Sequence, residues 1–138
     1  MKRKEPVSHI MTTHLHTINE TDELFDALNL IRKHKLRHLP VVRGAELRGI
    51  ISSADINRLS FGNIFEEQED ADEAVFEMLT ITQIMNKKVH TILPTTTIKE
   101  AAEMFVVADY HCLPVVENNK LVGIVTTTDI IKYMLEQY

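Results

Sequence analysis

Residues 7 to 64 align with residues 81 to 138 at a constant offset of 74, without a gap. Ile10-Met11 returns as Ile84-Met85, His16-Thr17-Ile18 as His90-Thr91-Ile92, and Ala27 as Ala101. The later part of the unit repeats more closely still. Leu39-Pro40-Val41-Val42 becomes Leu113-Pro114-Val115-Val116, Gly49-Ile50 becomes Gly123-Ile124, and Asp55-Ile56 becomes Asp129-Ile130. This period exceeds those of common solenoids, and two copies fall short of the three or more that a stacked array needs. The repeat predicts a pair of units packed face to face: repeat 1 over 1–60, a connector over 61–80 and repeat 2 over 81–138.

A chain of 138 residues that is 44% hydrophobic can bury a real core. A half of about 60 residues buries a smaller share of its surface, so the two halves are expected to share that core. Formal net charge is −5, and seven of the 20 acidic residues (Glu66, Glu67, Glu69, Asp70, Asp72, Glu73, Glu77) crowd into the connector. The thirteen that remain face 15 bases, which argues against a nucleic-acid stripe and for a solvated linker helix docked through Phe65, Val75, Phe76 and Leu79. The single cysteine, Cys112, excludes an internal disulfide. With no signal-peptide pattern and no apolar run of about 20 residues, a cytoplasmic chain without direct membrane insertion is expected.

Each unit reads as β-α-β-β-α, an α+β class. In the first, Leu15 to Ile18 is a strand, and Leu24, Ala27, Leu28 and Ile31 line a helix at 3.6 spacing. Leu39 to Val42 and Leu47 to Ser52 form a hairpin about Arg43-Gly44-Ala45-Glu46, and a helix closes the unit from Asp55. In the second, Ile98, Ala101, Ala102 and Phe105 line the first helix, Glu117-Asn118-Asn119-Lys120 is the turn, and Ile130, Ile131, Met134 and Leu135 form the apolar face of the last helix.

The chemistry concentrates at a strand-to-helix junction that occurs twice, Gly49-Ile50-Ile51-Ser52-Ser53-Ala54-Asp55 and Gly123-Ile124-Val125-Thr126-Thr127-Thr128-Asp129. A hydroxyl and free amides at a helix N-terminus favour an anion such as phosphate. A carboxylate three residues on can accept both hydroxyls of a ribose. The same spacing is that of a capping box, in which the hydroxyl and the acid satisfy each other's amides.

With these motifs the chain resembles a tandem pair of cystathionine-β-synthase (CBS) domains, a Bateman module, over nearly everything outside the connector. The resemblance implies two pseudo-twofold-related units packed through their sheets, with two clefts between the repeats for AMP, ADP, ATP or S-adenosylmethionine. It also implies a homodimer and a regulatory role towards a partner protein. Carried over position by position, the first cleft would join Thr126, Thr128 and Asp129 to Thr17, Ile18, Leu36, Arg37, His38 and Pro40. The second would join Ser52, Ala54 and Asp55 to Thr91, Ile92, Tyr110, His111, Cys112 and Pro114. Arg37 and His38 offer the first cleft charge-assisted donors for a phosphate, whereas Ala54 and Cys112 depart from the family pattern in the second.

Other residues carry less. His9, His14 and His16 have no cysteine or carboxylate to complete a metal set, so no metal is expected. Arg58 and Lys132, one turn beyond the aspartates, suit ion pairs as well as phosphate contacts. Cys112 is a small apolar filler unless its thiolate is stabilised and exposed. Tyr110 suits adenine stacking or packing equally. No nucleophile lies beside a base, so a nucleotide-sensing regulatory module is expected rather than an enzyme, with a dimerisation module whose clefts are vestigial as the alternative.

Overall fold

The computed structural model describes residues 4–59 and 77–138. The seven-acid run apart from Glu77, and the apolar Phe65, Val75 and Phe76, lie outside the described residues. The described chain forms two compact units, one of residues 16–88 and one of residues 1–15 with 89–138.

In the 16–88 unit the order is β1 (Ile18–Asn19), α1 (Leu24–His34), β2 (His38–Arg43), β3 (Glu46–Ser52), α2 (Ser53–Leu59) and α3 (Ile81–Ile84). The first strand is shorter than Leu15 to Ile18 and starts later: only Ile18 and Asn19 pair, in parallel, with Val41 and Val42. Leu24, Ala27, Leu28 and Ile31 are buried, as the 3.6 spacing requires. α1 ends on Lys35, whose left-handed φ of 53° turns the chain while the Leu36 N–H donates to Ile31 O. That turn delivers Arg37 and His38 to the start of β2.

The other unit opens with a 3-10 turn over Val7–His9 and continues through α4 (Ile98–Val107), β4 (Cys112–Glu117), β5 (Lys120–Thr126) and α5 (Thr127–Glu136). Ile92 bridges Val115 in parallel, the counterpart of Ile18 on Val41. Both hairpins shift register at the same repeat position, between Val41 and Val42 and between Val115 and Val116. Their turns differ. Gly44 alone takes a positive φ, of 62°, whereas Asn118 and Asn119 take 53° and 66°, the paired left-handed residues of a type I′ hairpin.

Among the described residues each unit has its own cluster of buried side chains. α5 also differs from its expected amphipathic face. Ile130 and Tyr133 turn inward, while Ile131, Met134 and Leu135 are exposed. Tyr133 reaches Glu5, donating its hydroxyl hydrogen bond to Oε1 at 3.0 Å.

The compact units do not coincide with the sequence repeats. Residues that open repeat 2 complete the unit built from repeat 1: the Asn86 N–H donates to Ile50 O at 2.8 Å and the Ile50 N–H to Asn86 O at 3.1 Å. The opening of repeat 1 does the same for the other unit, with Thr12 and Ile124 exchanging bonds of 2.8 and 2.9 Å. In each case a methionine covers a glycine on the receiving strand. A Cβ on Gly49 would lie 2.8 Å from both Asn86 O and Met85 Sδ, and one on Gly123 would lie 2.6 Å from Met11 Sδ. Glycine admits the docked segment at that distance without displacing its neighbours.

Candidate functional site

The two junctions fold alike. In the 16–88 unit, Asp55 Oδ2 accepts from the Ser52 N–H at 3.0 Å and Ser52 Oγ accepts from the Asp55 N–H at 3.1 Å. In the other unit, Asp129 Oδ2 accepts from the Thr126 N–H at 2.9 Å and Thr126 Oγ1 accepts from the Asp129 N–H at 3.2 Å. Both are reciprocal caps, which satisfy helix-start donors and hold each aspartate in one rotamer. Capping uses one carboxylate oxygen and leaves the other.

That second oxygen separates the two sites. Asp55 Oδ1 accepts from the guanidinium of Arg58, one turn along α2. Among the described residues Lys132 makes no such pair with Asp129, and Asp129 Oδ1 has no partner. Both aspartates are half-buried, so the unpaired oxygen of Asp129 stands at the rim of its unit with its acceptor capacity intact.

Each corner is fastened to the segment that precedes the proline strand of its own unit. The Ser53 N–H donates to Arg37 O at 2.9 Å, and the Thr127 N–H donates to His111 O at 3.1 Å. Strand register then sets His38 opposite Ser52 and Cys112 opposite Thr126. In the 16–88 unit Ile18 and Pro40 are buried, Leu36 and His38 are half-buried, and Thr17, Arg37 and Ala54 are exposed. Arg37 forms no ion pair among the described residues.

The equivalent set in the other unit is less polar. Ile92, Cys112 and Pro114 are buried, Tyr110 is half-buried, and Thr91, His111 and Thr128 are exposed. The Tyr110 ring tilts against His90 at 5.0 Å and meets Phe105 edge-on at 6.1 Å, so it packs within its own unit. Burial, and then the Asp129 charge, push the Cys112 thiol up to about 12. A buried thiol held neutral is filler and not a redox centre.

Two features escaped the sequence reading. Thr17 and Ile18 also line an open cavity of about 370 Å³ with Asp22, Asp26, Asn29, Leu30 and Lys33. Its polar residues on α1, Asp26, Asn29 and Lys33, recur at i, i+3 and i+7, a spacing that reads in sequence as the wet face of that helix. His16 lies outside β1, although the strand expected over Leu15 to Ile18 included it, and its ring stacks on His34 with centroids 3.9 Å apart. His9 instead faces Glu5, Nδ1 to Oε2, at 3.4 Å.

The CBS domain model matches twice, over residues 7–62 and 81–136. The chain belongs to the CBS-domain family. It is 31% identical over 114 residues to the uncharacterized protein MJ1225 of Methanocaldococcus jannaschii, covering 81% of this chain and 41% of that protein. AcuB from Vibrio cholerae has a solved structure with a TM-score of 0.78 at 30% identity, covering 96% of this chain and 91% of that one. The CBS domain pair of protein MJ0100, solved with 5′-methylthioadenosine and S-adenosyl-L-methionine, gives a TM-score of 0.76 at 25% identity, covering 96% and 98%. This chain spans less than half the length of the curated relatives it matches first. CBS pairs are generally regulatory. Among the described residues no helix is long and apolar enough to cross a membrane.

Proposed function

We propose that the chain is a cytoplasmic, non-catalytic energy-sensing module that binds AMP, ADP or ATP and passes the binding event to a partner protein. The ligand is held by residues of both repeats: Thr126, Thr128 and Asp129 with Thr17, Ile18, Leu36, Arg37, His38 and Pro40. One observation carries the choice of this set over its twin. Asp129 keeps an unpaired carboxylate oxygen for a ribose diol, whereas Asp55 has surrendered its own to Arg58. Arg37, which pairs with no acid among the described residues, supplies the phosphate with a guanidinium. The twin set of Ser52, Ala54, Asp55, Thr91, Ile92, Tyr110, His111, Cys112 and Pro114 binds more weakly or stays empty. The adenosine group common to the two MJ0100 ligands supports this ligand class and makes S-adenosylmethionine the principal alternative.

Regulation requires that the ligand bind one arrangement of the module better than another. The acting species is a homodimer. Calorimetry with AMP, ADP, ATP and S-adenosylmethionine tests the reading: one adenosine ligand binds wild type, and Asp129→Ala loses most of that affinity. Absence of heat with all four would leave an interaction module, a second reading favoured by the exposed apolar side chains of α5.

A further inference from the structure

The cavity beside Thr17 and Ile18 carries charges of both signs, and they lie at opposite ends. Asp22, just ahead of α1, and Asp26, in its first turn, make one end; Asn29 follows one turn on, and Lys33 makes the other end. Asp22 Oδ2 accepts from the Asn19 N–H at 3.0 Å, which fixes that carboxylate and leaves Oδ1 over. Asp26, Asn29 and Lys33 make no side-chain hydrogen bond or ion pair among the described residues. Half-buried Leu30 and buried Ile18 add an apolar wall.

Folding does not call for this set. The matching positions of repeat 2 hold Thr96, Glu100, Glu103 and Val107, with no cation among them. Both acids there are engaged within α4 and its cap: Glu100 Oε1 accepts from Thr97 Oγ1 at 2.9 Å, and Glu103 pairs with Lys99 at 3.7 Å. The helix forms all the same.

A ligand of one sign is poorly served by the repeat 1 set. A metal ion or polyamine drawn to Asp22 and Asp26 meets the Lys33 ammonium, and a phosphate drawn to Lys33 meets two carboxylates. A ligand that carries both signs close together meets neither penalty. Along the helix axis Asn29 lies about 4.5 Å beyond Asp26, and Lys33 about 10.5 Å beyond it. Helical side chains lean towards the N-terminus, so the long Lys33 stem reaches back towards Asn29. An ammonium seated at Asp22 and Asp26 therefore places a carboxylate on its own carbon neighbour within reach of Asn29 and Lys33.

We infer that this cavity binds an α-amino acid group, its ammonium on Asp22 and Asp26, its carboxylate on Asn29 and Lys33, and an apolar side chain against Leu30 and Ile18. A volume of about 370 Å³ suits one small ligand of this kind. Two sources carry the group: a free apolar amino acid, and the methionine end of S-adenosylmethionine. The second source rests on the nucleotide reading above, with which the cavity shares Thr17 and Ile18.

Amide chemical-shift titrations of the full isotope-labelled chain test the inference. L-methionine shifts the amides of Asp22 to Lys33 with a dissociation constant in the millimolar range, as suits exposed charges. Asp26→Asn and Lys33→Gln, both at exposed positions, each raise that constant about three- to fivefold. The decarboxylated amine of methionine and its deaminated acid bind more weakly by a similar factor. Should methionine leave these amides unmoved while S-adenosylmethionine moves them and 5′-methylthioadenosine does not, the cofactor's amino-acid end is the source. The inference is overturned if neither methionine nor S-adenosylmethionine moves them, if 5′-methylthioadenosine moves them as S-adenosylmethionine does, or if both variants bind as wild type. Asp129 belongs to the other unit, so Asp129→Ala abolishes the heat with AMP and leaves the methionine titration unchanged. A chain that binds methionine and no nucleotide loses the nucleotide reading and keeps this one.

Discussion

Arg58 closes on Asp55 from one turn along the same helix, whereas among the described residues Lys132, at the equivalent place, makes no such pair with Asp129. The two repeats are thus unlike at the atom that would receive a ribose. A nucleotide at a hundredfold excess over its dissociation constant stabilises the folded chain by about 2.7 kcal/mol. Asp129→Ala is expected to abolish most of that gain in a thermal-shift titration, and Asp55→Ala to leave most of it. Each also removes a cap and lowers the ligand-free transition by about 1 kcal/mol, which serves as the internal control. Equal loss of the nucleotide effect from both would refute the ranking.

Arg58 is three-quarters exposed, so its pair with Asp55 contributes little to stability. Arg58→Ala should shift the unfolding free energy by less than about 1 kcal/mol. It should also release the second Asp55 oxygen, so that calorimetry gains a second, weaker nucleotide event. A stoichiometry unchanged from wild type would mean that something other than the guanidinium keeps that site empty.

Gly49 and Gly123 occupy the same position in the two repeats but face different obstacles. Beyond Gly49 lies a carbonyl oxygen, Asn86 O, fixed by its bond to the Ile50 N–H; beyond Gly123 the nearest atom is the end of the flexible Met11 side chain. Gly49→Ala should destabilise by about 1–3 kcal/mol and Gly123→Ala by less. Met11→Ala should restore Gly123→Ala, while Met85→Ala should not restore Gly49→Ala. Denaturant melts of the four single and two double variants decide it.

The Cys112 thiol ionises near 9.0 when exposed and is pushed up to about 12 in the folded chain, first by burial and then by Asp129. Between those values the unfolded chain releases this proton and the folded chain holds it. Its contribution to stability is therefore complete below pH 9.0 and falls away as pH rises towards 12. Wild type should lose stability over that window more steeply than Cys112→Ala. The thiol should also resist iodoacetamide until the chain unfolds, and rapid native labelling would contradict its burial.

Much of the architecture was written in the periodicities. Leu24, Ala27, Leu28 and Ile31 announced their helix, and the hairpins followed from β-branched runs around turn residues. The capping geometry was also legible, because Ser52-to-Asp55 and Thr126-to-Asp129 are local spacings. What pattern could not supply was long-range choice. The seats of Met11 and Met85 depend on contacts made over a hundred residues and some forty residues away, on Gly123 and Gly49. Ile131, Met134 and Leu135 satisfied the rule for an inward face, yet Ile130 and Tyr133 had already filled that space. Arg58 and Lys132 looked interchangeable, and only side-chain geometry distinguishes them.

The exchange of leading segments makes order of synthesis matter. Residues 7–12 leave the ribosome well before β5, their landing place over Lys120–Thr126, has been made. The 16–88 unit can close as soon as its own stretch has emerged. Val7 meanwhile remains an uncovered apolar side chain until the residues of its cluster, Ile92 to Tyr133, have been made. A segment made early thus acquires its structure only once a much later one has emerged.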